Sequence, residues 1–320
     1  MYRNGDVLPP DTKNGRISAT VIFAFCINVL VAAAKTAAAL ITGSASMVAE
    51  AAHSWADTGN QIFLLFAERK SVRPRDAAHP LGYGREAYVW SMFAAFGLFA
   101  AGAAVSIMNG VQQLMSPEPA ADFVVAYVVL GVALVLEGFS FLQALRQARG
   151  DARKQGRAVL DHVLNSSDTT TRAVFAEDGA ALAGIALAFA GILAHQLTGS
   201  PVPDALGSIA VGLLLGCIAV VLIQKNRRFL VGQAVTQDVR RAVAGQLLEG
   251  KEIDRITYLH LEFVGPRKLY LVAAVDLTGD DPESEVAARL RAIEREIEAH
   301  DGIEEAVLTL STAGEPSLTF

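Results

Sequence analysis

Ala45-Ser46-Met47-Val48-Ala49-Glu50-Ala51-Ala52-His53-Ser54-Trp55-Ala56-Asp57-Thr58-Gly59-Asn60-Gln61-Ile62-Phe63-Leu64-Leu65-Phe66-Ala67 is long enough to cross a bilayer as a helix. It nevertheless carries ionisable side chains, which are costly at bilayer depth and mark functional positions. Glu50, His53, Ser54, Asp57 and Gln61 fall at helical spacing, so one face of the stretch is polar. His53 and Asp57 are one turn apart and point the same way. An imidazole and a carboxylate so placed supply two of the four ligands of a tetrahedral divalent-metal site. The same stripe would also serve as a structural seam hydrogen-bonded to neighbouring helices.

Working outward, five further stretches reach membrane-spanning length, giving six in all: Ile17–Ile41, Ala45–Ala67, Ala87–Met115, Phe123–Leu145, Val174–Leu197 and Pro203–Ile223. Three joins are short turns punctuated by Gly or Pro, namely Thr42–Ser44, Ser116–Asp122 and Thr198–Val202. None of the three contains Lys or Arg. The two longer joins, Glu68–Glu86 and Arg146–Thr171, are basic, as are residues 1–16 and the segment after Ile223. By the bias of basic residues in short loops, both termini face the cytoplasm. Residues 1–16 are polar and hold no short apolar run ending in a small-residue cleavage site.

Composition changes abruptly at Lys225. Residues 1–224 hold 15 basic and 16 acidic groups, whereas the remaining 96 residues hold 12 and 17. The organisation expected is a segment at 1–16, a six-span all-α bundle over 17–228 and a soluble C-terminal α+β domain over 229–320. In that domain Gln237–Leu248 and Glu283–His300 have helical periodicity. Ile256–Val264 and Lys268–Leu277 alternate around Gly265-Pro266 as a hairpin, and Ala306–Leu310 forms a last strand. A mildly acidic soluble part argues against nucleic acid as a partner. Cys26 and Cys217, alone and in apolar runs, exclude a disulfide framework and a thiolate zinc cluster.

The span Val174–Leu197 opens with Glu177 and Asp178, the natural partners for His53 and Asp57. Adjacent helical residues diverge by about 100°, so one carboxylate is expected to ligate and the other to pair elsewhere. Lys35, Glu137 and Asp204 are further buried ionisable positions, expected to pair with each other or line the pathway. Gly212 and Gly216 have the spacing of close helix packing. In the first basic loop Asp76 and His79 are three apart and form a candidate second metal site, against the alternative of a solvated loop. The chain contains no HExxH, GxSxG or GxxxxGK[ST] pattern, so an enzyme or an ATP-driven pump has no visible machinery.

Several motifs together resemble the cation diffusion facilitator family: Gly43-Ser44 leading into Ala49–Asp57, the His79-Pro80 to Gly84-Arg85 loop, and Leu230-Val231-Gly232-Gln233 opening the tail. Asp168-Thr169-Thr170-Thr171, Glu177-Asp178-Gly179 and Pro203–Ser208 are most similar to its zinc transporter 9-like branch. The resemblance implies a homodimeric exporter of Zn²⁺ working by proton antiport, and a ferredoxin-like C-terminal sheet. It places the ion between spans two and five, at His53, Asp57 and Asp178. The common family pattern has His or Asp four residues before that Asp, where this chain has Val174, so Glu177 is the candidate substitute. Zinc enters as cargo, and no cofactor is implied. Manganese, iron or cobalt export, and a metal-binding scaffold that transports nothing, are the alternatives. The membrane expected is a bacterial inner membrane.

Overall fold

The computed structural model describes residues 19–117, 122–154 and 156–319. Segment 1–16, with Arg3, Lys13 and Arg16, lies outside the described residues, as does most of the join Ser116–Asp122. The chain forms two compact units, one of Arg16–Glu68 with Tyr88–Arg227, the other of Arg69–Ala87 with Arg228–Phe320.

In the first unit the helices are α1 Ala19–Thr42, α2 Ala45–Ser71, α3 Glu86–Ala94, α4 Ala100–Met115, α5 Phe123–Lys154, α6 Val159–Asn165, α7 Thr169–Thr198 and α8 Val202–Leu230. A π-helical turn, Ala95–Phe99, joins α3 to α4, so Glu86–Met115 runs as one rod. Among the described residues five helices are long and apolar enough to cross a membrane: Phe25–Thr42, Glu86–Met115, Phe123–Arg153, Thr169–Thr198 and Val202–Leu230. The expectation of six apolar spans is thereby corrected to five. The exception is α2, whose 27 residues extend about 40 Å. Its length suffices, but Glu50, His53, Ser54, Asp57, Thr58, Asn60 and Gln61 dilute its apolar character.

The outward face of α5 shows the surroundings such helices need. Val124, Val128, Val132, Val135, Phe139 and Leu142 recur at helical spacing and all are exposed. A continuous apolar stripe of this kind is disfavoured in water and at home in lipid.

Helix ends depart from the sequence reading where capping decides them. Asp168 accepts hydrogen bonds from the backbone N–H of Thr170 and Thr171 at 3.0 and 3.2 Å, which starts α7 at Thr169 rather than Val174. Asp204 does the same work for a different helix. Its carboxylate accepts from Ser44 Oγ and Ala45 N at 2.9 Å and from Ser46 N at 3.2 Å, so a side chain of α8 caps α2. Among α4 and α8 the close approach is at Gly110 and Gly212. A Cβ at Gly110 would lie 2.6 Å from the Ala205 carbonyl oxygen, and one at Gly212 2.7 Å from Ile107 Cγ1. Gly216 meets only Ala103 Cβ, at an ordinary 3.9 Å.

The second unit contains α9 Gln237–Glu249, β1 Ile253–Gly265, β2 Lys268–Leu277, α10 Glu283–Glu298 and β3 Ile303–Leu310. The sheet is mixed, in the order β1-β2-β3, antiparallel between β1 and β2 and parallel between β2 and β3. Alternate residues of β2, from Leu269 to Leu277, are buried in a core shared with Val243 and Leu247 of α9 and Ile293 and Ile297 of α10. Both helices therefore cover one face. The hairpin turns at Pro266-Arg267, where Arg267 takes a φ of 59° after a proline, the pattern of a type II turn. The loop Arg69–Ala87 is part of this unit. Gly84 lies against the hairpin so closely that a Cβ would come within 2.6 Å of the Val264 carbonyl oxygen, and Arg85 pairs with Glu262 beside it.

Candidate metal centre

The centre is built on α2 and α7, which run antiparallel. A Cβ on Gly184 would lie 2.5 Å from Oε1 of Glu50, which fixes one level of contact. Seven residues further along α2, Asp57 has Glu177 as the charged group acting most strongly on it, and Glu177 lies seven residues back along α7. The two levels are about 10 Å apart along the helix axes, with His53 between them on α2.

His53 is fully buried, and its Nε2 lies 3.4 Å from Oδ2 of Asp57. Six buried atoms along this line have no protein hydrogen-bond partner: Glu50 Oε1, both ring nitrogens of His53, Ser54 Oγ, Asp57 Oδ1 and Glu177 Oε1. Native proteins rarely leave buried polar groups unpaired, and such exceptions point to water or an ion. The donor set is one imidazole with carboxylates, which suits a borderline divalent cation. The side chains are near one another without being closed round an ion. Among the described residues no three His, Cys, Asp or Glu groups already form a metal-binding cluster.

The two adjacent acids of α7 have separate surroundings. Glu177 is buried and its Oε1 unpaired, whereas Asp178 is only partly buried and accepts a 2.8 Å hydrogen bond from Ser140 Oγ on α5. In this conformation Glu177 acts electrostatically on Asp57, and Asp178 is held by α5. Asp178 still acts electrostatically on both Asp57 and Glu177.

Lys35 on α1 pairs with Glu50, with Nζ 2.9 Å from Oε2 and both side chains fully buried. Glu137 on α5 acts electrostatically on this pair. Asp204, by contrast, is taken up entirely by the start of α2.

In the loop, Asp76 and His79 are brought together, with His79 Nδ1 3.5 Å from Asp76 Oδ1. Asp76 is already engaged on both oxygens. Oδ1 accepts from the N–H of Ala78 and His79 at 3.0 and 2.9 Å, and Oδ2 accepts from the Tyr83 hydroxyl at 2.7 Å. The Tyr83 hydrogen bond, more than the backbone ones, holds the Asp76 carboxyl below its ordinary range, and the same bond raises the Tyr83 phenol. His79 stacks on the Tyr83 ring at 4.0 Å.

Arg172 is a residue that sequence reasoning missed. Nearly fully buried in α7, it donates from Nη1 to the Ser166 carbonyl at 2.6 Å and from Nη2 to Asn226 Oδ1 on α8. Asn226 in turn donates to Ser91 on α3 at 3.0 Å. The capping pattern at Asp168 was the available signal, since it moves the helix start back and draws Arg172 inside.

Residues 21–231 match the family model described as the cation efflux transmembrane domain. The chain belongs to the cation efflux, or cation diffusion facilitator, family. It is 37% identical over 259 residues to metal tolerance protein C4 of Arabidopsis thaliana, covering 81% of this chain and 57% of the relative. It is 35% identical over 259 residues to the mitochondrial proton-coupled zinc antiporter SLC30A9 of Homo sapiens, covering 81% and 46%. A more distant relative, the cation-efflux pump FieF of Cronobacter sakazakii, is 26% identical over 71% of this chain and 70% of its own. The chain spans about half the length of the first two relatives. Those two, the more similar of the three, come from a plant and an animal, and one is mitochondrial. They overturn the expectation of a bacterial inner membrane.

Proposed function

We propose that this chain exports a divalent cation, zinc foremost, in exchange for protons across a eukaryotic organelle membrane. The observation that carries the proposal is the line of buried, unpaired donor atoms on His53, Asp57 and Glu177 at the α2–α7 contact. In this reading α2 crosses the bilayer as a sixth, polar span, shielded by its neighbours. The relatives support it, one being named a proton-coupled zinc antiporter and one a metal tolerance protein.

The coupling follows from ligand chemistry. Imidazole nitrogen and carboxylate oxygen bind a cation only when deprotonated, so loading the site releases protons and protonation unloads it. His53 and Asp57 hold the cargo from α2 and Glu177 from α7, with Asp178 able to exchange Ser140 for the ion as the fourth group. Zn²⁺ accepts such a mixed set, and the surplus of oxygens makes Mn²⁺ its main competitor. The family's homodimeric assembly and ferredoxin-like C-terminal sheet belong to the same proposal, as does a second metal at Asp76 and His79.

Purified protein in liposomes with an imposed pH gradient tests the reading. Zinc flux driven by the gradient should be lost in His53→Ala and Asp57→Ala while both variants remain folded. Undiminished zinc flux in Asp57→Ala would sink the assignment.

A further inference from the structure

Beyond the centre itself, Glu50 is the carboxylate whose situation needs explaining. It lies one turn from His53 on the same face of α2, fully buried, with Oε1 unpaired and directed at Gly184. Only Oε2 is engaged, by Lys35. Nothing in the proposed transport cycle uses either residue. Among the described residues Lys35 is also the basic group that acts electrostatically on His53, Asp57 and Glu137.

We propose that Lys35 is a specificity-determining residue, whose ammonium occupies Glu50 and so withholds a further oxygen ligand from the cargo. The inference rests on the reading of His53, Asp57 and Glu177 as the transport site.

Two physical effects follow from the pair. An ammonium bound to a carboxylate makes this level of the cavity neutral, so the cargo meets only the charge of the groups around Asp57. A carboxylate held by Lys35 is also a poor ligand, because binding a metal would strand the ammonium without a partner in the interior. Replacing Lys35 by an uncharged side chain of similar length removes both constraints. Glu50 then adds up to two oxygens beside His53, and oxygen-rich sets favour Mn²⁺ over Zn²⁺ relative to imidazole-rich ones. The Gly184 contact leaves Oε1 unobstructed by a side chain from α7.

The test is direct binding of Zn²⁺ and of Mn²⁺ to the purified full chain in detergent, by titration calorimetry. The proteins compared are wild type, Lys35→Met, Lys35→Met with Glu50→Gln, and His53→Ala. Lys35→Met should raise Mn²⁺ affinity relative to Zn²⁺ by roughly tenfold or more, and adding Glu50→Gln should restore the wild-type ratio. A folded Lys35→Met with an unchanged ratio overturns the proposal, and so does a shift that Glu50→Gln leaves in place. If Lys35→Met does not fold, Glu50→Gln alone decides. It leaves the ammonium unneutralised, so both metals should bind roughly tenfold more weakly or worse, and unchanged affinity overturns the inference. The His53→Ala control separates the failures. Zinc binding that survives it removes the transport site, whereas zinc binding lost in it with an unmoved ratio removes only the role of Lys35.

Discussion

Asp204 of α8 accepts a 2.9 Å hydrogen bond from the hydroxyl of Ser44, and through the same carboxylate it accepts the first two backbone N–H groups of α2. The start of the polar helix is thus held by a residue 160 positions away in sequence. Helix N-termini leave unpaired donors that must find acceptors when buried. Asp204→Ala should therefore destabilise the bundle by about 2–4 kcal/mol, with Asp204→Asn costing less because one oxygen remains. Denaturation in detergent measures this, and equal stability of the alanine variant and wild type would show that the cap contributes nothing.

The two acids of α7 should differ in effect. Glu177 is buried with one carboxylate oxygen unpaired, while Asp178 is bound by Ser140. Glu177→Gln is expected to weaken zinc binding by about 100-fold and Asp178→Asn by about tenfold, because Asp178 must first give up Ser140 to reach the ion. Calorimetric titration of both variants reads this ordering, and the reverse ordering would make Asp178 the stronger of the two ligands on α7.

The basic loop should lose order in acid. Tyr83 holds the Asp76 carboxyl below its ordinary range, so its contribution is full above the unfolded carboxylate value and disappears as pH falls through the depressed folded value. Tyr83→Phe removes the hydrogen bond and should move the loss to higher pH. Amide hydrogen exchange across residues 69–87 at stepped pH follows the effect, and identical profiles for the two proteins would refute it.

Gly110→Ala should destabilise by about 1–3 kcal/mol, because its Cβ would press on the Ala205 carbonyl and Ile209. Gly131→Ala in α5 has open space around it and should stabilise by about 0.5–1 kcal/mol. Thermal melting of the pair in one detergent supplies the comparison.

Apolar runs of spanning length mark α1, α3–α4, α5, α7 and α8 in the sequence because lipid contact imposes composition on every exposed turn. The order helix–strand–strand–helix–strand of the C-terminal unit is likewise legible, since β2 alternates cleanly and Gly265-Pro266 marks the turn. The proximity of His53 and Asp57 on α2 is legible, because their spacing alone puts them on one face. What spacing does not carry is the rotation of α7, and so the different surroundings of Glu177 and Asp178, one buried and the other bonded to Ser140, are seen only in three dimensions. Lys35, Glu137 and Asp204 each stand out as buried charges, yet only three-dimensional proximity sends Lys35 to Glu50 and Asp204 to Ser44. Arg172 escaped because the apolar window begins at Val174 while the cap at Asp168 begins the helix earlier.

The polar composition of α2 bears on how the protein is made. A helix carrying Glu50, His53 and Asp57 along its first half partitions poorly into lipid, since an aspartate alone costs about 2.5–3.5 kcal/mol at mid-bilayer. Only Gly43 and Ser44 separate α2 from α1, and Lys35 on α1 neutralises Glu50. Released alone into the bilayer, α1 would carry its own unpaired ammonium. Delivered together as a hairpin, the two helices cancel one charge each, so entering the bilayer as a pair costs less than entering singly.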